Sequence, residues 1–315
     1  GGAGNMPAHK TPTRVFVLSR VTLGADVAIT SIILDAAKRR FPQSESTLVG
    51  SRKSYELFAA DPRIRHLEIN YPRTGSLRER LGAWHTLRDK LSIPDAITID
   101  PDSRLTQLGL LPVCPEDSYY FFETRSYGGD TSATLGQLTR DWVRATFGIS
   151  GARAYIAPEP FAMDLPRPIV SISLGVGENP AKRLSDLFEA NLLRGLVTRG
   201  ASLYIDSGAG GEEAERVERA AALSGAPAHR IKIERGSFAA FASAISQSAL
   251  YVGYDSAGQH VAAACGIPLV TVFAGFPTER MLSRWRPDGP GRIEVVRADH
   301  ADPDALAAID RLGIL

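Results

Sequence analysis

The chain has 315 residues, more than one compact core usually fills, so two domains of about 150 residues each are expected. Its 36 Lys and Arg balance 35 Asp and Glu, with 44% hydrophobic and 23% charged residues, the profile of an ordinary globule with no basic footprint for nucleic acid. No apolar run approaches the roughly 20 residues that cross a bilayer, and the opening GGAGNMPAHK has neither the charged nor the apolar region of a signal peptide. Residues 1–5 read as a cloning remnant ahead of Met6. Cys114 and Cys265 are too far apart in sequence for a zinc knuckle or redox pair. A reducing setting fits, and the expected location is the cytoplasm, with room for a peripheral contact at the inner membrane.

In chain order, Arg14–Ser19 is a short β-branched run, followed by the turn-like Thr22–Asp26 and an amphipathic stretch from Val27 to Phe41. Strands are predicted at 46–50, 66–70 and 96–100, with helices at 52–60 and 77–91 between them. Four prolines, at 158, 160, 166 and 168, exclude regular structure across 155–168, and that stretch reads as an interdomain linker. Beyond it strands at 169–173, 202–206, 230–234, 250–253 and 269–273 alternate with helices at 184–199, 212–224, 238–247 and 259–265. The expected fold class is α/β: two Rossmann-like, doubly wound domains, 12–157 and 166–315, facing across a cleft. Ligands of such sheets sit beyond the carboxyl ends of the strands, so the cleft is the default site.

The most informative segment is Tyr251-Val-Gly-Tyr-Asp-Ser-Ala-Gly-Gln-His-Val-Ala-Ala-Ala-Cys-Gly-Ile-Pro268. A strand ends near Asp255, small residues follow at Ser256, Ala257 and Gly258, and a helix of small side chains begins near Gln259. Amides at such a helix start lack partners and carry the positive end of the helix dipole, which suits a phosphate. Ser256 can add a hydroxyl donor and His260 an imidazole N–H. The same residues also suit a plain turn with Asp255 or Ser256 as N-cap, and both readings stay open. Asp26 can act as a base or merely stabilise a helix start, Lys182 can meet an anion or be a solvated loop cation, and Arg20, Arg52, Arg73 and Arg104 can bind an anion or be scattered surface charges. No Walker-type phosphate loop, no Gly-x-Ser-x-Gly elbow and no metal-ligand histidine spacing occurs.

Residues 251–275 resemble the C-terminal signature of the lipopolysaccharide heptosyltransferases, glycosyltransferase family nine: Gly-x-Asp-Ser/Thr-Gly-x-x-His-Leu-Ala-Ala-Ala-x-Gly-Ile-Pro, then an apolar strand ending in Phe-Gly. Ala257 stands where that pattern has Gly, and Ala274 where it has the Gly after Phe. The N-terminal stretch 14–42, with Gly24-Ala-Asp-Val27 and Lys38-Arg-Arg-Phe-Pro42, is similar to the family's opening strand, loop and helix, with Ala25 for the family's Gly and Ile32 for its Pro.

The resemblance, spread as short islands over 14–297, implies a GT-B architecture with acceptor on the N-terminal domain, nucleotide sugar on the C-terminal one, domain closure, and no metal or cofactor. It implies inverting transfer from a donor such as ADP-heptose to an anionic glycan or glycolipid. Asp26 would be the catalytic base. Lys182, Glu212, Asp255, Ser256, Ala257, Gly258 and His260 would bind the donor, Glu212 through the ribose hydroxyls. Arg20, Asp100 and Arg104 would face the acceptor; the Asp100-Pro-Asp102 pair is read as part of that loop, not as a metal site. Two other classes fit the same scaffold: a nucleotide-sugar 2-epimerase, and a diverged protein that binds no nucleotide diphosphate.

Overall fold

The computed structural model describes residues 4–7, 11–299 and 302–315; parts of the leader at 1–3 and 8–10, and residues 300 and 301 of the expected second domain, lie outside them. Contacts divide the chain into two units, residues 1–159 and 160–315. The first contains β1 (Arg14–Leu18), α1 (Leu23–Ala25), a π-helical turn Asp26–Thr30, α2 (Ser31–Arg40), β2 (Glu45–Gly50), α3 (Arg52–Glu56), β3 (Ile64–Glu68), α4 (Leu77–Leu91), β4 (Ala96–Asp100), β5 (Tyr119–Phe121) and α5 (Leu135–Phe147). The second contains β6 (Ile169–Ser173), α6 (Asp186–Thr198), β7 (Ser202–Asp206), α7 (Gly211–Ser224), β8 (Ile231–Glu234), α8 (Phe238–Ser246), β9 (Leu250–Tyr254), α9 (Ala257–Ala264), β10 (Leu269–Ala274), α10 (Glu279–Trp285), β11 (Ile293–Ala298) and α11 (Ala305–Leu312).

Each unit is built on one wholly parallel sheet, ordered β3-β2-β1-β4-β5 in the first and β11-β10-β9-β6-β7-β8 in the second. The central strands read as continuous apolar runs because helices cover both of their faces: Val15 to Leu18 and all of β4, β6 and β9 are buried. Helices start where the sequence supplies caps. Ser76 with Glu79, and Thr134 with Gln137, form capping boxes at α4 and α5, and Gly148 in a left-handed conformation ends α5. Residues 148–168 contain no helix or strand. Their first part is pinned to the first unit by Ala157 N donating to Leu57 O (2.8 Å), and Phe161 O accepts from Gln247 Nε2 of the second (2.8 Å).

Strand order reverses between β1 and β4 in one sheet and between β6 and β9 in the other. At such a switch point the flanking loops leave in opposite directions and open a crevice beyond the carboxyl ends. In the second unit that crevice has a rigid frame. Glu189, wholly buried on α6, accepts from Tyr254 Oη (2.8 Å) and Arg183 Nε (3.3 Å), and Arg216 Nε lies 3.5 Å from its other oxygen. Arg216 also donates to Leu174 O at the end of β6, and Tyr254 Oη accepts from Leu184 N (3.2 Å). One carboxylate thereby ties together the loops after β6 and the end of β9. Removing it leaves the Arg216 guanidinium with no carboxylate and Arg183 with Asp186 alone, so Glu189→Ala should destabilise the protein by about 3 kcal/mol. Urea unfolding checks this, and a change under about 0.5 kcal/mol contradicts the role given to Glu189.

Candidate functional site

At the β6/β9 switch point, Asp255 ends the strand and Ser256 is the N-cap of α9. Ser256 has extended backbone (φ −150°) and its side chain makes no capping bond. By contrast Ser51, Ser76, Thr134, Ser185, Ser237 and Thr278 all accept from an amide of the first turn of their own helices. The first-turn amides of α9 are therefore left without the acceptor that a Ser N-cap ordinarily supplies. Ala257 opens α9 in ordinary helical conformation, half-buried, so its methyl brings no backbone strain.

Lys182 comes to this helix start from a 3-10 turn, Pro180–Lys182, after β6. Its Nζ donates to Asp255 Oδ2 (2.7 Å) and lies 3.3 Å from Asp255 O, with the two side chains 20% and 11% exposed. Asp255 Oδ1 accepts from Gln259 Nε2 (2.6 Å), and Gln259 Oε1 accepts from Thr271 Oγ1 (2.6 Å). The carboxylate is thus fixed from the sheet side while the ammonium approaches from the loop side. Gly275, at φ +60°, makes room for that loop: a Cβ there would strike the Ala181 carbonyl.

His260 is in the next turn of α9, 7% exposed, its ring edge-on to Trp285 (centroids 6.0 Å apart). Burial lowers its pKa to about 4, partly offset by Asp255, so the imidazole is neutral at physiological pH and offers one N–H rather than a charge. Gly258 has a packing reason: the ring of Tyr251 occupies the space its Cβ would need. Two adjacent glutamates, Glu212 and Glu213, lie in the first turn of α7. Glu212 is exposed, whereas Glu213, at the third helical position, reaches back to Val176 N (2.8 Å) and Ala209 N (2.6 Å). Glu213 thereby staples the loops after β6 and β7. A glycine-rich turn with two acids gives no sequence signal for which faces inward; the helix phase decides it.

In the first unit, Asp26 was expected at the mouth of the first loop, but it is fully buried. Its Oδ1 accepts from Arg20 N and Thr30 Oγ1 (both 2.8 Å) and its Oδ2 from Ser19 Oγ (2.7 Å). Burial raises its pKa, and the Ser19, Thr30 and Ser54 hydroxyls and the Arg20 amide oppose the rise. Asp100, expected to face an acceptor, does not. It is wholly buried, its oxygens taken by Ser103 N (2.6 Å), Thr106 Oγ1 (2.5 Å) and Tyr119 Oη (2.6 Å), because hydroxyls distant in sequence converge on it. Its effect is indirect, holding the turn that presents the exposed Arg104. Arg20 is tied to the same loop through Asp102 O (2.7 Å) and Pro101 O (3.2 Å). Arg125 was missed in the sequence, and Asp102 was read only as part of the acceptor loop. Asp102, buried at φ +68°, takes a bidentate bond from Arg125 (2.8 and 2.7 Å) and an ion pair from Arg20 (3.4 Å). Val21, β-branched at φ +72°, completes a strained pair of positions beyond the ends of β1 and β4. Among the described residues no three His, Cys, Asp or Glu side chains gather as a metal site.

Residues 138–288 match the family model described as glycosyltransferase family 9 (heptosyltransferase). The Escherichia coli heptosyltransferase WaaC, solved with ADP, superposes with a TM-score of 0.65 at 14% identity, over 95% of this chain and 98% of that one. A family 9 glycosyl transferase from Veillonella parvula DSM 2008 gives 0.64 at 15% identity over 99% and 93%. The E. coli ADP-heptose lps heptosyltransferase II gives 0.61 at 16% over 94% and 94%. No curated protein matches the sequence. The architecture is that of the GT-B glycosyltransferases.

The neutral His260 carries a pH dependence. The unfolded chain protonates its imidazole near pH 6.5 and the folded chain only near pH 4, so stability held above pH 6.5 is lost as the pH falls through that window. Between pH 7 and pH 5 the loss from this residue should be about 2 kcal/mol, and His260→Gln should remove it. Urea unfolding of both proteins at the two pH values checks this; equal losses in both contradict it.

Proposed function

We propose that the chain is a transferase of glycosyltransferase family 9, the heptosyltransferases, whose model matches residues 138–288, and that it moves a heptose from ADP-heptose to an anionic glycan or glycolipid, with inversion and without a metal ion. The observation that carries this reading is the uncapped start of α9 with the Lys182 ammonium beside it. Amides, helix dipole and cation converge on one point, which is what a departing diphosphate requires. Ser256 and His260 add neutral donors, and Glu212, exposed at the start of α7, is positioned in sequence and exposure to accept ribose hydroxyls.

Asp26 is the base in this reading. A carboxylate whose pKa is raised by burial is a better proton acceptor than a solvated one, and its hydrogen-bonded cage keeps it oriented. Because Asp26 is enclosed here, the loop at residues 20–25 has to open before an acceptor hydroxyl reaches it. The hydroxyl then attacks the anomeric carbon opposite the diphosphate, giving up its proton to Asp26 while the C–O bond to the diphosphate breaks. Arg104 and Arg20 hold the acceptor's anionic group. In this reading the donor seat belongs to the second of the two units, 160–315, and the acceptor seat to the first, 1–159. ADP as the nucleotide rests on the likeness to heptosyltransferases solved with ADP and with ADP-2-deoxy-2-fluoro heptose. No helix among the described residues is long and apolar enough to cross a membrane, and a cytoplasmic protein in peripheral contact with the inner membrane suits a lipid-linked acceptor.

Calorimetry with ADP, UDP and GDP tests the donor seat. ADP should bind with micromolar to millimolar affinity, and Lys182→Ala should weaken it by about tenfold or more. Asp26→Asn should abolish transfer and leave ADP affinity unchanged, and wild-type transfer should fall on acidification at a pH above the ordinary aspartate range, since burial raises that pKa. No affinity for any of the three nucleotides, or full transfer by Asp26→Asn, contradicts the reading.

A further inference from the structure

Below the start of α9 lies a hydroxyl with no evident occupation. Tyr251, on β9, is fully buried, and its Oη has no protein partner of full hydrogen-bond geometry. Ser256 Oγ, directly in the turn, is likewise buried without a partner. Geometry places them at the same turn: a Cβ built on Gly258, two residues beyond Ser256, would strike Tyr251 Oη. Burial pushes the phenol's pKa up, and the Ser256 and Ser173 hydroxyls both oppose that push. The relation is thus proximity without a formed bond.

An orphaned buried hydroxyl is costly, and a phenylalanine would fill the same volume without that cost. The surroundings are also shaped to admit the oxygen itself. A Cβ at Gly253 would come within 2.6 Å of Tyr251 Oη, and one at Gly258 would come closer still, so two glycines flank a single hydroxyl at the crevice. Packing alone explains the ring; it does not explain the oxygen.

We propose that Tyr251 is a positioning residue for the anion seat: its Oη donates to Ser256 Oγ, turning the Ser256 proton outward onto a phosphate oxygen of a bound nucleoside diphosphate. A serine hydroxyl that both accepts and donates is a stronger donor than one that only donates, because the two bonds polarise each other. Both oxygens lack a protein partner in this structure, so each has a hydrogen-bonding position to give to the relay. The relay rests on the donor seat proposed above and adds to it a fully buried residue of β9. It also gives Gly258 a reason beyond the close approach of a ligand.

The test is a double-mutant cycle read by ADP calorimetry on the full chain: wild type, Tyr251→Phe, Ser256→Ala and the double variant, with Lys182→Ala as control. Tyr251→Phe should weaken ADP roughly fivefold, the size of one modest hydrogen bond, and should have no effect in the Ser256→Ala background. Its thermal midpoint should be unchanged or raised, because an unpaired buried oxygen has been removed. Equal weakening in both backgrounds, no weakening in either, or failure of Tyr251→Phe to fold overturns the relay. If wild type binds ADP and loses it in Lys182→Ala while Tyr251→Phe matches wild type, only the relay fails; if wild type binds no nucleotide, the donor seat fails and the relay with it.

Discussion

The ion pair between Lys182 and Asp255 is the contact on which the site in the second unit depends. Its two halves are held very differently. Asp255 is anchored by Gln259 and through it by Thr271 on β10, whereas Lys182 arrives on a short turn with a flexible side chain. A partly buried pair at 2.7 Å is worth more than a surface one, yet a diphosphate carries more charge than a carboxylate and would sit against the same helix start. The cation can therefore change partners while the anion that parks it stays in place. Tyr254, Glu189 and Gly275 serve this arrangement by fixing where the turn at 180–182 can lie.

The first unit stores its constraints differently. Val21 and Asp102 adopt left-handed backbone beyond the ends of β1 and β4, and Asp26 lies within a π-helical turn between α1 and α2. Such turns and strained positions recur at functional sites because they hold side chains where regular backbone cannot. Here they enclose a carboxylate whose charge is disfavoured by burial and supported by three hydroxyls and one amide. That balance leaves a group able to take a proton, and Asp102 gathers two arginines, Arg20 and Arg125, at the same end of the sheet.

Much of the fold was legible in the sequence. The strands β4, β6 and β7 and the helix α4 lie where clean apolar runs and caps put them. The unread stretches were β5, only three residues long, α5, whose capping box and apolar period were present but not taken up, the short α10, and the last strand and helix. Asp255, Ser256 and His260 are close in sequence, and the topology adds Lys182, which meets Asp255 from 73 residues away. Asp100 could not be read correctly, because Tyr119 claims it from 19 residues away. The part Asp102 plays was hidden for the same reason: Arg125 claims it from 23 residues away, and no local pattern announces that partnership.

A crystal structure with ADP tests the central claim most directly. The account requires the diphosphate to lie at the first-turn amides of α9, with Lys182 Nζ moved from Asp255 Oδ2 onto a phosphate oxygen. Nucleotide bound elsewhere, with the 2.7 Å pair intact and the helix start empty, would contradict it.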